Sequence, residues 1–470
     1  MMGPTESFRM WLLSPLTEEQ AIRGQEQAAE LRREGKPRQA LRLIERLCRR
    51  AAGDAALLFP LLNERGLTEE ALGDFAAARR TFRTLRLLYE EDYDLDSTYA
   101  IVIDNQGYVE RESGNLLEAK RYHEEAVGLL RGLDSPSELS HSLCGLAIVQ
   151  KDLGLLHQAV LTAEEALSFA PANEEKLIGF IRTTRGLIFE LLREWNAARR
   201  EFIASIAAYR RAADEENTAV ALHNLATVER ERGRVPTAAR LLRRSMRVNL
   251  RLNNAAGISN DLRRLALFAG VIGEFEKTRA LLLRARHVAR KAGLMEAAAL
   301  AELDLGRVAS HVGDNKEALR RCGRALKIAK RLGQPFLLHE VLLARGVAWR
   351  RRGRNARATA DLEAAVAALQ TLRLGTVTED LSLRFFTETW DAYVNLVELA
   401  IERHDVVQAW RWAESARGQE LHRQLRRLRT LRPMNERDLD PEYVALREGE
   451  APSFQELRRD LAVWSASTNP

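Results

Sequence analysis

Three groups of side chains in this 470-residue chain have the types and spacing for recognition chemistry. The first is a set of asparagines, Asn105, Asn224 and Asn395, each nine residues before a recurring position occupied by Gly114, Gly233 and His404. An amide offers both a donor and an acceptor, which suits the backbone of an extended peptide. It equally suits a neighbouring helix end or water. The second is a basic row, Arg111, Lys151, Arg230 and Arg350, three residues before the same recurring position, with Arg263 and Arg307 close to it. Such a row can select an acidic partner segment. It also suits a helix C-terminus, where the helix dipole favours cations, and Glu112, Asp152 and Glu231 follow directly in three copies. The third is Val341–Arg357, which holds Arg345, Arg350, Arg351, Arg352, Arg354 and Arg357 and no acid, a local charge of +6. A phosphate or RNA contact is the chemistry that cluster offers, although its one aromatic, Trp349, reads as core.

Nothing comparable points to catalysis. The nine histidines form no close ligand pair, and Cys48, Cys144 and Cys322 lie far apart on helix faces, as small buried thiols do. There is no phosphate loop, zinc spacing or nucleotide fingerprint, so no catalytic residue, metal ligand or cofactor is expected. Cysteine usage fits a reducing compartment. No stretch approaches the roughly 20 apolar residues of a membrane span, and a cytoplasmic location is expected. The net charge is +6, from 72 basic and 66 acidic residues. That excess alone does not mark a nucleic-acid binder. Because Val341–Arg357 carries +6 by itself, the remainder of the chain sums to zero.

The elements that position these groups come from one repeat. Gly, four residues, then Ala recurs at Gly35, Gly73, Gly114, Gly154, Gly233, Gly313 and Gly353; Gly273 keeps the Gly, and Arg193 and His404 keep the Ala. The ten copies have a period near 40 residues, apart from a last interval of 51. Seven residues before the turn stand only Ala or Gly in nine copies, from Ala28 and Gly66 to Gly306 and Gly346. Twelve residues after it stand Ala or Ser in eight, from Ala126 to Ala416. Each unit therefore reads as two helices joined by a tight turn, the small residues letting their axes approach. One such pair cannot bury its apolar face alone, so neighbours must stack. The expected fold is all-α: a right-handed superhelical solenoid of about ten helix-turn-helix units.

This pattern resembles the tetratricopeptide repeat from residue 18 to about 370 and again at 386–420. That repeat is about 34 residues long, so the helices here would be longer, and its Trp and Pro positions are mostly absent. HEAT and armadillo repeats also have periods near 40 but lack the Gly-x4-Ala turn. The resemblance implies that the first helix of each pair lines a concave groove that binds a protein or peptide partner. In such arrays, Asn near the position of Asn105, Asn224 and Asn395 can bond an extended peptide's backbone.

The expected organisation is an N-terminal segment at 1–17, nine helical pairs at 18–370, a loop insert and tenth pair at 371–430, and an acidic linker with a short helix at 431–470, where Ser453 and Glu456 fit a capping box. The tenth pair, with Ala409, Glu414, Arg417 and Leu421, is similar to the helical pair that precedes the CHAT domain, a caspase-like protease, in bacterial repeat proteins. That likeness implies a regulatory array serving such a protease. A caspase-like site needs His and Cys together; no His follows His422 and no Cys follows Cys322. The protease would therefore follow on a longer chain or be a separate partner. The leading expectation is a non-enzymatic scaffold; the alternatives are a protease sensor and an RNA-bearing partner at Arg345–Arg357.

Overall fold

The structure is a computed structural model that describes residues 16–33, 36–92, 96–373 and 381–416. The expected segments at 1–15, the turn at Gly35, the loop at 374–380 and everything after 416, including Arg417, Leu421 and the acidic linker, lie outside the described residues.

The chain divides into two compact units, Met1–Gly273 and Glu274–Pro470. The first unit holds α1 (Glu18–Arg33), α2 (Pro37–Arg50), α3 (Ala55–Ala71), α4 (Phe75–Asp92), α5 (Ser97–Glu112), α6 (Leu116–Leu130), α7 (Pro136–Asp152), α8 (Leu156–Phe169), α9 (Glu175–Leu191), α10 (Trp195–Arg211), α11 (Glu215–Glu231), α12 (Val235–Arg251) and α13 (Ala255–Val271). The second holds α14 (Phe275–Lys291), α15 (Met295–His311), α16 (Asn315–Leu332), α17 (Pro335–Arg351), α18 (Asn355–Arg373) and α19 (Leu381–Glu402), then a helical run at 406–416. Odd-numbered helices up to α13 are first helices and even-numbered ones second helices; in the second unit α15, α17 and α19 are first helices. No strand occurs among the described residues.

Within each unit, first helices pack on their own second helices through the small residues the repeat supplies. A Cβ on Gly66 would lie 2.5 Å from the Phe82 ring, and one on Gly186 would lie 2.6 Å from Phe202. Gly306 faces Cys322 and Gly346 faces Leu362 in the same way, at 2.7 and 2.8 Å. The rule is large against small at a spacing of 16 residues. Where the small residue is Ala226, the facing core residue is Leu242 rather than Phe. All these side chains are buried, so the fit is made at interior density.

The turns explain the degenerate copies. Gly73, Gly114, Gly154 and Gly233 have φ between 75° and 88°, and Arg193 and His404 adopt the same left-handed conformation at φ 58° and 57°. The register thus persists without glycine, at some strain. A second set of left-handed residues, Ala213, Asn253, Gly293 and Gly333, follows α10, α12, α14 and α16. It runs exactly halfway between the first set in sequence. Only some of its members are glycine, so no fixed residue type marks it in the sequence.

First helices also touch the first helix of the next pair: α1 to α3 and onward to α13 in the first unit, α15 to α17 to α19 in the second. Helices that reach their own equivalents lie on the tighter inner side of a stack. The inner surface of each unit is therefore made of first helices, and second helices such as α10, α12 and α16 turn their polar sides outward.

Candidate binding groove

The inner face of the first unit carries a cavity of about 700 Å³. Its walls come from α5 (Ile101, Asp104, Asn105), α7 (Ser137, Glu138, His141), the start of α9 (Glu174, Lys176, Phe180), the end of α10 (Tyr209, Arg211) and Asn217 of α11. The helix starts contribute polar side chains: Asp214 caps α11 by accepting from the Asn217 amide at 3.0 Å, and Ser137 joins two helix starts by donating to the Glu174 side chain at 2.7 Å.

A buried polar chain leads into this cavity. His123 occupies the core position filled by Phe82, Phe202 or Leu362 in other copies and has no solvent exposure. Its Nδ1 donates to Asp104 at 2.8 Å, and Asp104 Oδ2 lies 3.6 Å from Nδ1 of His141. Burial alone would raise the Asp104 carboxyl, but the two imidazoles hold it well below the usual carboxylate range. Asp104 in turn raises the pKa of His141, against the burial that would lower it. His141 is half exposed and stacks on Phe180 with ring centroids 6.3 Å apart. Tyr108 packs edge-on against His123, and burial pushes its hydroxyl well above the ordinary phenol value. The Tyr108 hydroxyl and His123 Nε2 are buried without a hydrogen-bond partner.

A second cluster of the same kind lies further along this unit. Asp261 is 1% exposed and accepts from His223 Nδ1 at 2.7 Å, Ser245 Oγ at 2.8 Å and Asn249 Nδ2 at 2.8 Å. His223, beside Asn224, thus bridges α11 to α13. His141–Asp104 and His223–Asp261 each join two consecutive first helices, so no spacing within one unit points to them, whereas His123–Asp104 lies within a single hairpin. A histidine or aspartate recurring about 40 residues on would have been the signal.

The expected site residues have these places. Asn105 stands on the cavity wall and donates to Asn63 Oδ1 at 2.9 Å, linking α5 to α3. Asn224 is half-buried on α11 and makes no side-chain hydrogen bond among the described residues. Asn395, in the second unit, donates to the Asp391 carbonyl at 2.7 Å and accepts from Arg350 at 3.1 Å.

The basic row is occupied by carboxylates of the chain itself. Arg111 bonds Asp152 at 2.7 Å and Glu112 at 2.6 Å; Lys151 bonds Asp152 and Arg230 bonds Glu231. Arg350 bonds Glu402 at 2.5 Å and also Glu398, while Arg307 bonds Glu340. The Arg345–Arg357 cluster is partly committed too. Arg345 holds Asp361 through two bonds of 2.6 Å, Arg351 donates to Ser310, and Arg357 sits 4.8 Å over the half-buried Trp349 ring. Arg352 and Arg354 are exposed.

The cysteines sit where small apolar residues belong. Burial pushes Cys144 up to about 12 and Cys48 and Cys322 up to about 11. Among the described residues no group of three His, Cys, Asp or Glu side chains is arranged to hold a metal ion, and no helix is long and apolar enough to cross a membrane. Ala409 packs against Val397 and Ala400, and the turn-plus-five Ala of eight other copies is buried as well, Thr278 standing in the remaining one. The likeness at the tenth pair therefore falls partly on a residue that the repeat itself requires.

No curated protein matches the chain. Among solved structures it is similar to a Rap protein complexed with competence and sporulation factor, at 12% identity over 87% of this chain and 99% of that one, with TM-score 0.52. It is also similar to the apo form of the quorum sensor NprR from B. thuringiensis, at 13% identity over 69% and 92%, with TM-score 0.53. At such identities the likeness establishes fold alone. Residues 180–250, which contain α10 and α11 whole, match the tetratricopeptide repeat family. Paired helices, left-handed turns and a small-residue seam extend the same architecture through both units, which makes this an all-α tetratricopeptide-like repeat protein.

Proposed function

We propose that the chain is a scaffold whose first unit binds a segment of a partner protein along the inner face of α3 to α13. The observation that carries this reading is the cavity between the first helices of three successive pairs, with Asn105 on its wall. Asn105 and Asn224 would take the backbone of an extended segment, since an amide matches both peptide groups. The Rap protein solved with competence and sporulation factor has a like fold, which is consistent with this use of such an array.

The charge of the groove argues for a basic segment. The acidic segment expected from the basic row loses its support, because those cations are paired within the chain. Within the cavity Arg211 neutralises Glu175 and Lys176 lies 3.4 Å from Asp214, which leaves Glu138 and Glu174 facing the space with no Lys or Arg partner and only the His141 imidazole beside them. Counting Asp and Glu against Lys and Arg, the first helices α1 to α13 sum to −7.

Selection from a random displayed-peptide library against the full chain tests the reading. Enriched peptides should carry Arg or Lys, bind less well to Glu138→Gln/Glu174→Gln, and lose affinity on Asn105→Ala/Asn224→Ala. Acidic peptides whose binding ignores all four substitutions would remove the groove assignment.

A further inference from the structure

The second helices have the opposite charge. In the first unit α2 to α12 sum to +10 by the same count; the largest shares are +5 on α12, which has five arginines and no acid, +4 on α2 and +3 on α10. Its buried stripe is Ala238, Leu242, Ser245 and Asn249. Arg240, Arg243, Arg244, Arg247 and Arg251 fall on the opposite side at helical spacing and are exposed. The neighbouring α10 adds exposed Arg200 and Arg210. Partial burial lowers the pKa of Arg210, and the charge of Arg244 on the other row adds to the shift. Arg199, Arg211 and Arg251 are taken by Glu229, Glu175 and Glu215. Among the described residues, Arg200, Arg210, Arg240, Arg243, Arg244 and Arg247 reach no carboxylate. Arg240 only touches Thr237, and Arg247 only a backbone carbonyl.

We infer that the outward face of α10 and α12 binds a flexible polyphosphate chain, single-stranded nucleic acid, through its backbone. Guanidinium forks match phosphate oxygens. The face lies on the outer side of the stack, so a flexible strand can follow it where a flat surface touches only along a line. A membrane would also need an apolar row to insert, whereas Ile203 projects singly from α10 and Leu250 and Leu252 are confined to the end of α12. No exposed aromatic ring stands among these arginines in the described residues, so binding would be insensitive to base sequence. This surface is distinct from Arg345–Arg357, much of which is engaged within its own unit.

The test is fluorescence anisotropy with a labelled mixed-sequence single-stranded oligonucleotide and the full chain, across salt concentrations. Six contacts predict a log–log salt slope of about −4, at about 0.7 per phosphate. Arg240→Gln/Arg243→Gln/Arg244→Gln/Arg247→Gln should weaken binding at least about tenfold at low salt and flatten the slope by about 3. The positions are exposed and Gln is a good helix former, so circular dichroism should be unchanged. A matched set on α2, Arg38, Arg42, Arg46 and Arg49 to Gln, changes net charge equally and should have a much smaller effect. Equal loss from both sets, an unchanged slope in the α12 set, or binding to anionic phosphatidylserine vesicles without binding to the oligonucleotide would each overturn the inference.

Discussion

Adding one methyl group at Gly186 should destabilise the fifth hairpin, although alanine is the better helix former. Gly186 lies inside α9, where Gly→Ala ordinarily gains about 1 kcal/mol. Here the new Cβ would stand 2.6, 2.8 and 2.8 Å from three atoms of the Phe202 ring. Phe202 is fully buried among Ala198, Ile206, Leu222 and Leu225, so its ring has nowhere to swing. Overpacking of this kind costs about 1–3 kcal/mol, and near the upper end the balance for Gly186→Ala is a loss of about 1–2 kcal/mol. The chain shows how the clash is relieved: its sixth hairpin pairs Ala226 with Leu242. Phe202→Leu alone should cost about 1–2 kcal/mol. In its presence Gly186→Ala should become favourable, returning the double variant close to the wild type with a coupling energy of about 2 kcal/mol. Urea denaturation followed by circular dichroism measures the cycle, and amide exchange on α9 and α10 reads the same gap locally, since hairpins of a stack can open separately. A single Gly186→Ala variant at least as stable as the wild type, or a coupling below about 0.5 kcal/mol, would refute the large-against-small account of the repeat.

Two further outcomes follow from the turns and from the buried polar chain. Arg193 holds φ at 58°, so Arg193→Gly should raise stability by about 0.5–1 kcal/mol in thermal or urea melts, while Gly233→Ala should lower it; equal signs would remove the strain argument. His141 has a pKa raised above 6.5 by its contact with Asp104, so the stabilisation it provides is complete below pH 6.5 and is lost as pH rises through the folded value. The stability gap between wild type and His141→Gln should therefore be wider at pH 5.5 than at pH 9, and a gap that grows with pH would show that Asp104, Glu138 and Glu174 do not hold the imidazolium.

The hairpins were legible in the sequence because their cause is local. A turn residue, a small residue seven before it and another twelve after it lie within one unit, and packing density leaves them little latitude. Arg193 and His404 were placed correctly in register because Ala198 and Ala409 carried the pattern when the glycine did not. The second set of turns escaped, since Ala213 and Asn253 adopt left-handed φ without a residue type that announces it. The groove was less legible. Asn105 was picked out by its register, but its neighbours on the cavity wall come from α7, α9 and α10, and no spacing within one unit brings them together. The basic row was visible as a row, yet its partners, such as Asp152 for Arg111 and Glu402 for Arg350, sit on adjacent pairs. What a linear reading saw as exposed charge is spent on joining neighbours.

The near-zero charge outside Val341–Arg357 hides a division by face, and energetics sharpen what the outer arginines mean. Where second helices meet the next first helix, arginines are neutralised: Arg79 bonds Glu110 through two contacts of 2.7 Å, and Arg199 bonds Glu229 at 2.7 Å. The fold can also compose an outer row neutrally. On α6, Lys120 meets Glu124 at 2.5 Å and Arg121 meets Glu118 at 2.9 Å. On α12, in contrast, Arg240, Arg243, Arg244 and Arg247 face one another at three- and four-residue spacing. Such like-charge pairs each cost a helix about 0.2–0.5 kcal/mol. Neither helix formation nor hairpin packing calls for that arrangement, since α6 satisfies both without it. The exposed arginines of α12 thus work against the stability of their own helix, as those of α2 also do, and an anionic chain laid across α10 and α12 would turn that repulsion into binding energy.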